Sequence, residues 1–255
     1  MPFSINILSR TDKHGNCFYI MSFVLYDFQV VVNQFRSTQY ERRLNSPNDI
    51  VVHPKHKGRA FFTDPPYGLM LKSEKKGDGE YLNARRALDF NGVYEIRNYT
   101  IQHEHREIRI VDKEIPRPNG IALSPDGSRL YVSETCSTMQ LSNCTTNMIR
   151  INQYDIDLEN PSAIPQKIGT MQFQVKGSNH VDGLAIHPDT GLLVVSCPNG
   201  ICIIKSSSQA SNGRLIAQIM LGEDSSQVVS NLAFGRKYMY LTGAKYVWRI
   251  PLVRL

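Results

Sequence analysis

"NGIALSPDGSRLYVSET", Asn119 to Thr135, holds two short apolar runs joined by a tight turn and headed by one amide side chain. Ile121–Leu123 and Leu130–Val132 have the length and aliphatic character of strands. Between them Pro125 presets φ, while Asp126 and Gly127 accept the reversal. The second run ends in small polar residues, Ser133 and Thr135.

The same plan recurs along the chain. "NDIVVHPKHKGRAFFTD" starts at Asn48, "DGLAIHPDTGLLVVSC" at Asp182, and a fainter "NLAFGRKYMYLTGA" at Asn231. In the first three copies a proline precedes the turn glycine by two to four residues. The headings lie 71, 63 and 49 residues apart. Further strand-like runs fill the intervals: "VYEIR", "REIRIV", "NMIRINQYDI", "QKIGTMQF", "GICIIK", "RLIAQIML" and "YVWRIPL". No long segment has apolar residues at helical spacing. Four strands recurring every 40–50 residues or so, behind a repeated heading, are the mark of an all-β propeller. A β-sandwich would give short strands without the repeated heading.

In such a ring the first strand of each blade lines the central channel. Asn48, Asn119, Asp182 and Asn231 are expected at one repeat position, as a ring of oxygen donors at one mouth. Singly, each would be read as a turn cap on its own backbone. Four together favour a shared axial site. Amide and carboxylate oxygens suit Ca²⁺ or Mg²⁺, and also Mn²⁺.

The chain's 255 residues are enough for a sizeable core, and 41% hydrophobic content is ordinary for a globular protein. A net charge of +6 is spread over short segments interrupted by acids, so nucleic acid is not an expected partner. The most apolar stretch, Cys17–Val32, is too short to span a membrane and carries Asp27. Residues from Met1 lack the form of a signal peptide, so a chain that starts there is expected in the cytoplasm. None of the five cysteines forms a CxxC pair. Cys136 and Cys144 could bridge across a loop, or all five could be free thiols. Asn98 and Asn143 head glycosylation sequons, which matter only in a secreted chain.

"LNSPNDIVV", "FFTDPPYG", "RPNGIALSPDGSRLYVSET" and "VDGLAIHPDTGLLVVS" together resemble the senescence marker protein/gluconolactonase/luciferin-regenerating-enzyme-like family. The resemblance covers Leu44 to the C-terminus, with a fainter echo in "LSRTDKHGN". It implies a six-bladed β-propeller with one divalent metal on its axis, Ca²⁺ foremost and Mg²⁺, Mn²⁺ or Zn²⁺ as alternatives. It also implies a lactonase acting on a small-molecule lactone. Asn119 and Asp182 match the family's metal-binding Asn and Asp. The same Asp is the family's catalytic base. Asn48 matches the Asn that contacts substrate. Asn231 matches no ligand and is expected only to line the channel.

The family's remaining ligand, a first-blade Glu, has no counterpart here. Four headings make four to four and a half blades, so the chain is expected to begin inside the second. Residues 1–43 would be a partial blade with an atypical apolar insert at 17–29, and 44–255 the propeller blades. Such an open ring would be poorly soluble or inactive alone. Two other functions fit the same residues: a non-catalytic propeller that binds a ligand or partner, and an incomplete product without activity. His103, Glu104 and His105 offer a zinc-like pair on one strand face, but read better as an exposed strand. His180 reads as a loop residue and Trp248 as core. Ser133 and Ser196 lack a nucleophile motif.

Overall fold

Gly58, Gly127 and Gly191, the glycines of the first three turns, all adopt positive φ, at 85°, 81° and 67°. Each closes the hairpin between the first and second strand of its repeat, where an L side chain would be strained. The residue that opens each turn adds a second constraint. His53 Nδ1 accepts the N–H groups of Lys55 and His56, and His187 Nδ1 those of Asp189 and Thr190. In the middle copy Ser124 does this with a hydroxyl that accepts the N–H of Arg129.

The structure, a computed structural model, describes residues 5–11, 17–23, 34–36, 41–69, 86–98, 107–135, 148–175, 181–207, 213–221, 228–243 and 245–252. The chain divides into two compact units, Met1–Asn33 and Gln34–Leu255. In the first, β1 (Ile5–Thr11) pairs antiparallel with β2 (Cys17–Phe23), from Ile5 opposite Phe23 to Thr11 opposite Cys17.

The second unit opens with the short pair β3 (Gln34–Arg36) and β4 (Glu41–Arg43). Four antiparallel meanders follow. They are β5 (Ile50–Val52), β6 (Arg59–Asp64), β7 (Gly92–Arg97) and β8 (Glu107–Asp112); β9 (Pro118–Leu123), β10 (Arg129–Glu134), β11 (Met148–Asp155) and β12 (Gln166–Gln174); β13 (Leu184–Ile186), β14 (Leu193–Cys197), β15 (Gly200–Lys205) and β16 (Arg214–Met220); and β17 (Val229–Phe234), β18 (Tyr238–Gly243) and β19 (Val247–Pro251). Each of the seven additional runs expected from sequence overlaps a strand. Among the described residues the one helical element is a 3₁₀ turn at Tyr67–Leu69. The sheets are blades of a β-propeller, and the leading strand of each neighbours that of the next, β5 by β9, β9 by β13 and β13 by β17.

Three apolar cores glue successive blades. Phe61, Val93, Ile121, Leu130, Val132 and Tyr154 fill the first seam. Ala122, Tyr131, Ile149, Ile151, Leu184 and Val195 belong to the second. Val194, Ile201, Leu232, Met239 and Leu241 fill the third, with Trp248 packed against them.

At the channel the seams are tighter than side chains allow. A Cβ on Gly120 would lie 2.6 Å from the Asp182 carbonyl oxygen, and one on Gly183 2.3 Å from Asn231 Oδ1. These glycines serve close approach of strands rather than a special φ. The backbone bonds directly across, from Gly120 N–H to Asp182 O at 3.2 Å and from Gly183 N–H to Ser230 O at 2.8 Å.

Cys197 and Cys202, both buried, form a disulfide across the β14–β15 hairpin. Sequence reasoning weighed a different pair, Cys136 and Cys144, which lie outside the described residues. The Cys197–Cys202 bridge spans the short turn Pro198–Asn199, where Asn199 adopts φ 60°.

Candidate functional site

Strand register identifies equivalent positions. Ile50, Ile121, Leu184 and Leu232 stand opposite Phe62, Val132, Val195 and Leu241. The residue two before each is Asn48, Asn119, Asp182 and Ser230. The fourth heading is therefore one residue out of step with expectation. Ser230, not Asn231, shares the position of Asn119 and Asp182. Asn231 stands where the other blades have Asp49, Gly120 and Gly183. It is exposed, and its Oδ1 accepts the N–H of Leu232 at 2.8 Å, the turn-capping role open to any lone Asn.

Asn119 is 3% exposed. Its Nδ2 donates to Thr135 Oγ1 at 2.8 Å, Val181 O at 3.3 Å and Tyr67 OH at 3.4 Å. Those bonds fix the amide so that Oδ1 is buried without a hydrogen-bond partner. A buried acceptor in that state is costly unless a ligand satisfies it.

Asp182 heads the adjoining blade. Its backbone is clamped from both sides, with its N–H donating to Ser196 Oγ at 2.7 Å and its carbonyl accepting from Ser133 Oγ at 2.7 Å. Burial pushes its carboxyl up to about 6, and the Asp49 carboxylate adds to that rise, while hydrogen bonding with the Asn119 side chain opposes it. Ser133 and Ser196, set aside as nucleophiles, therefore hold the heading backbone.

Asn48 is exposed at the head of β5, and its N–H donates to Thr63 O at 2.9 Å. The structure thus brings Asn119 and Asp182 together on neighbouring leading strands, with Asn48 at the corresponding place on β5.

Two neighbours escaped sequence reasoning. Asp49 bridges blades: its Oδ1 accepts from Ile50 N–H at 2.9 Å and its Oδ2 from Ile121 N–H at 3.0 Å. Burial raises its pKa, and those two bonds oppose the rise. The signal was the "ND" that replaces "NG" and "DG" in the other copies. Tyr67 sits in "DPPYG", and burial raises its pKa above the usual phenol value.

The polar residues Asn45 and Ser46, which precede Asn48 before β5, serve the local structure. Asp64 is fully buried and accepts the backbone N–H groups of Asn45 at 2.8 Å and Ser46 at 2.7 Å. Asn45 Nδ2 reaches Phe90 O at 2.9 Å. His103–His105 and His180 lie outside the described residues.

For a divalent cation, the donor chemistry fits in part. The unsatisfied Asn119 oxygen and the Asp182 carboxylate, raised by burial and then by the nearby Asp49 carboxylate, both favour a cation beside them. Among the described residues no three His, Cys, Asp or Glu side chains cluster as a metal site.

Comparison with known proteins bears on the family and the fold. The sequence pattern described as the SMP-30/gluconolactonase/LRE-like region matches residues 13–245. A gluconolactonase of Zymomonas mobilis subsp. mobilis is 28% identical over 214 residues, which is 82% of this chain and 49% of that protein. The solved gluconolactonase of Xanthomonas campestris superposes with a TM-score of 0.57 at 23% identity, over 96% of this chain and 65% of that one. This chain spans about half the length of the curated relative that it matches.

Proposed function

Because this chain belongs to the SMP-30/gluconolactonase/LRE-like family, we propose that its heading residues form the site of a metal-dependent lactone hydrolase. The observation that carries the proposal is the Asn119 oxygen, buried and unsatisfied next to a heading carboxylate. The relatives named gluconolactonases supply the substrate class.

Asn119 Oδ1 and Asp182 would hold one divalent ion, with Ca²⁺ the first candidate. When bound, the ion supplies Lewis acidity toward a lactone carbonyl. Asp182 orients the attacking water and takes its proton. Without an ion, burial raises its carboxyl to about 6, still ionised at neutral pH; a bound cation would favour the ionised form further. The water oxygen bonds to the carbonyl carbon, the ring C–O bond breaks, and the departing ring oxygen takes up a proton to give the hydroxy acid. Asn48 positions the substrate from the rim. Tyr67 and Thr135 hold the Asn119 amide so that its oxygen stays free for the ion.

The test is calorimetric titration of Ca²⁺ and Mn²⁺, with gluconolactone hydrolysis measured alongside. Asp182→Asn keeps the shape and should abolish both binding and turnover. Asn119→Ala should weaken ion affinity about tenfold or more, the value of one charge-assisted contact. Asn48→Ala should lower turnover while leaving ion binding near its original value. Unchanged ion binding and turnover in folded Asp182→Asn would remove the assignment.

A further inference from the structure

At the other end of the first blade, three arginines share one carboxylate. Arg59 begins β6, Glu95 and Arg97 lie on β7, and Arg109 lies on β8. Arg59 stands opposite Arg97, and Glu95 opposite Arg109. The four side chains therefore meet on one face of the sheet. They lie by the β5–β6 turn, away from the strand ends that carry Asn48 and Asp49.

Glu95 is fully buried. Its Oε1 accepts from Arg59 Nε and, at 3.2 Å, from Arg97 Nε. Its Oε2 accepts from Arg109 Nε at 3.1 Å and also from Arg109 Nη2. Arg109 Nη1 donates to Ser162 O at 2.7 Å, and Ala163 O accepts long bonds from Arg109 Nη2 and Arg59 Nη2, both at 3.5 Å. Glu107 lies 3.8 Å from Arg109 and is exposed, so solvent screens it. One buried carboxylate thus serves three guanidiniums and neutralises one of them.

The remaining charge is poorly served. Arg59 is 4% exposed and Arg97 is mostly buried. Arg59 Nη1 and Arg97 Nη2 are both buried without a hydrogen-bond partner. A buried, unpaired donor on a cation is among the costliest arrangements in a protein interior. Burial depresses the Arg59 pKa; Glu95 opposes that, and the charges of Arg97 and Arg109 add to it. An acceptor-only anion would supply both the missing hydrogen bonds and the missing charge. Guanidinium forks match planar or tetrahedral oxoanions best. Lys55 and Lys57, on the adjoining turn, add positive potential at the approach.

We propose that this cluster is a binding site for a small oxoanion, held by Arg59 and Arg97 against the Glu95–Arg109 pair. The site is independent of the lactone chemistry at the headings.

Inorganic phosphate is the probe, titrated into the 255-residue chain at constant ionic strength and followed by ³¹P line broadening and calorimetry. Saturable binding is expected, with sulfate competing. An acetate titration distinguishes carboxylate recognition from phosphate recognition. Saturation is the readout rather than melting temperature, because phosphate and sulfate raise melting points by exclusion alone. Arg97→Gln should weaken phosphate binding about tenfold or more. Arg97→Lys, which keeps the charge and loses the fork, should fall between the two. Absence of saturation by phosphate, sulfate and acetate in the unaltered chain would overturn the proposal whether or not the variants fold. So would unchanged affinity in a folded Arg97→Gln.

Discussion

Tyr131 and Tyr240 occupy the same position in two blades, yet one is 4% exposed and the other 43%. Tyr131 stands opposite Ala122 and Tyr240 opposite Ala233, each one residue past the reference pairs Ile121–Val132 and Leu232–Leu241. The blade β9–β12 has a neighbour on both faces. Leu130, Val132 and Tyr154 pack toward the first blade, and Tyr131, Ile149 and Ile151 toward the third. All six residues of β9 are buried. The sheet β17–β19 packs Leu232, Met239 and Leu241 against the third blade, while Tyr240 and Val247 face outward, Val247 at 73% exposure. β18 accordingly alternates between buried and open positions, and β17 is buried only at Val229 and Leu232. Strands of similar apolar pattern, "LYVSE" and "MYLTG", thus acquire two-sided or one-sided burial from their neighbours.

The sharpest test of that difference is the tyrosine pair. Tyr131→Ala removes a buried ring from the second seam, together with its bond to Ser206 Oγ at 3.1 Å. It should cost about 3–5 kcal/mol, the usual range for a large aromatic side chain lost from a core. Tyr240→Ala should stay within about 0.5 kcal/mol of the parent. Urea melts of both variants measure the contrast. Similar losses would mean that the outer face of β17–β19 is covered in solution.

That contrast also marks how far the sequence could be read. The heading–turn–strand repeat gave the fold, because Pro54, Pro125 and Pro188 with their turn glycines constrain the backbone locally. The pairing of Asn119 with Asp182 was legible for the same reason, since each sits a fixed distance before a strand. The fourth heading slipped by one residue because "SNLAF" lacks the glycine that follows Asn119 and Asp182 and so gives no register mark. Asp49 was missed as a bridge between blades because its partner, Ile121 N–H, is 72 residues away. The Arg59–Glu95–Arg97–Arg109 cluster was invisible for a similar reason. Its members are scattered over three strands, and only pairing register brings them to one face.

The first seam holds a pH-sensitive contact that the last sheet does not share. His53 is 3% exposed and its Nε2 lies 3.2 Å from Gly127 O, to which the neutral ring donates. Burial is the main cause of its lowered pKa, about 4, with the charges of His56 and Arg59 adding to the effect. The unfolded chain, near 6.5, then binds the proton more readily than the folded one. This contribution to stability is present above about 6.5 and is lost as pH falls toward about 4. Asp64 and Asp182, both raised to about 6, act in the opposite sense over part of that range. A difference measurement isolates the histidine. His53→Asn should lose less stability than the parent between pH 6.5 and 4, and parallel stability–pH curves would refute the contact's role.

The smallest contrast concerns a hydroxyl repeated in every blade. Thr63, Ser133, Ser196 and Thr242 each follow the residue that stands opposite the leading strand. Thr63 is fully buried, and its hydroxyl donates to Asn119 O at 2.7 Å, which ties the first blade to the heading of the second. Thr242 is exposed, and its hydroxyl donates at 3.2 Å to Asn231 O within its own blade. Valine keeps the shape of threonine and removes the donor. Thr63→Val leaves a buried carbonyl short of a partner and should cost about 1–3 kcal/mol. Because that carbonyl belongs to Asn119, the same change should also weaken Ca²⁺ binding, if only slightly. Thr242→Val exposes its carbonyl to water and should change stability by less than about 0.5 kcal/mol. Paired melts with and without Ca²⁺ separate the two effects. A Thr63→Val chain as stable as the parent would show that the heading is held by its glycine-close packing alone, without help from the neighbouring hydroxyl.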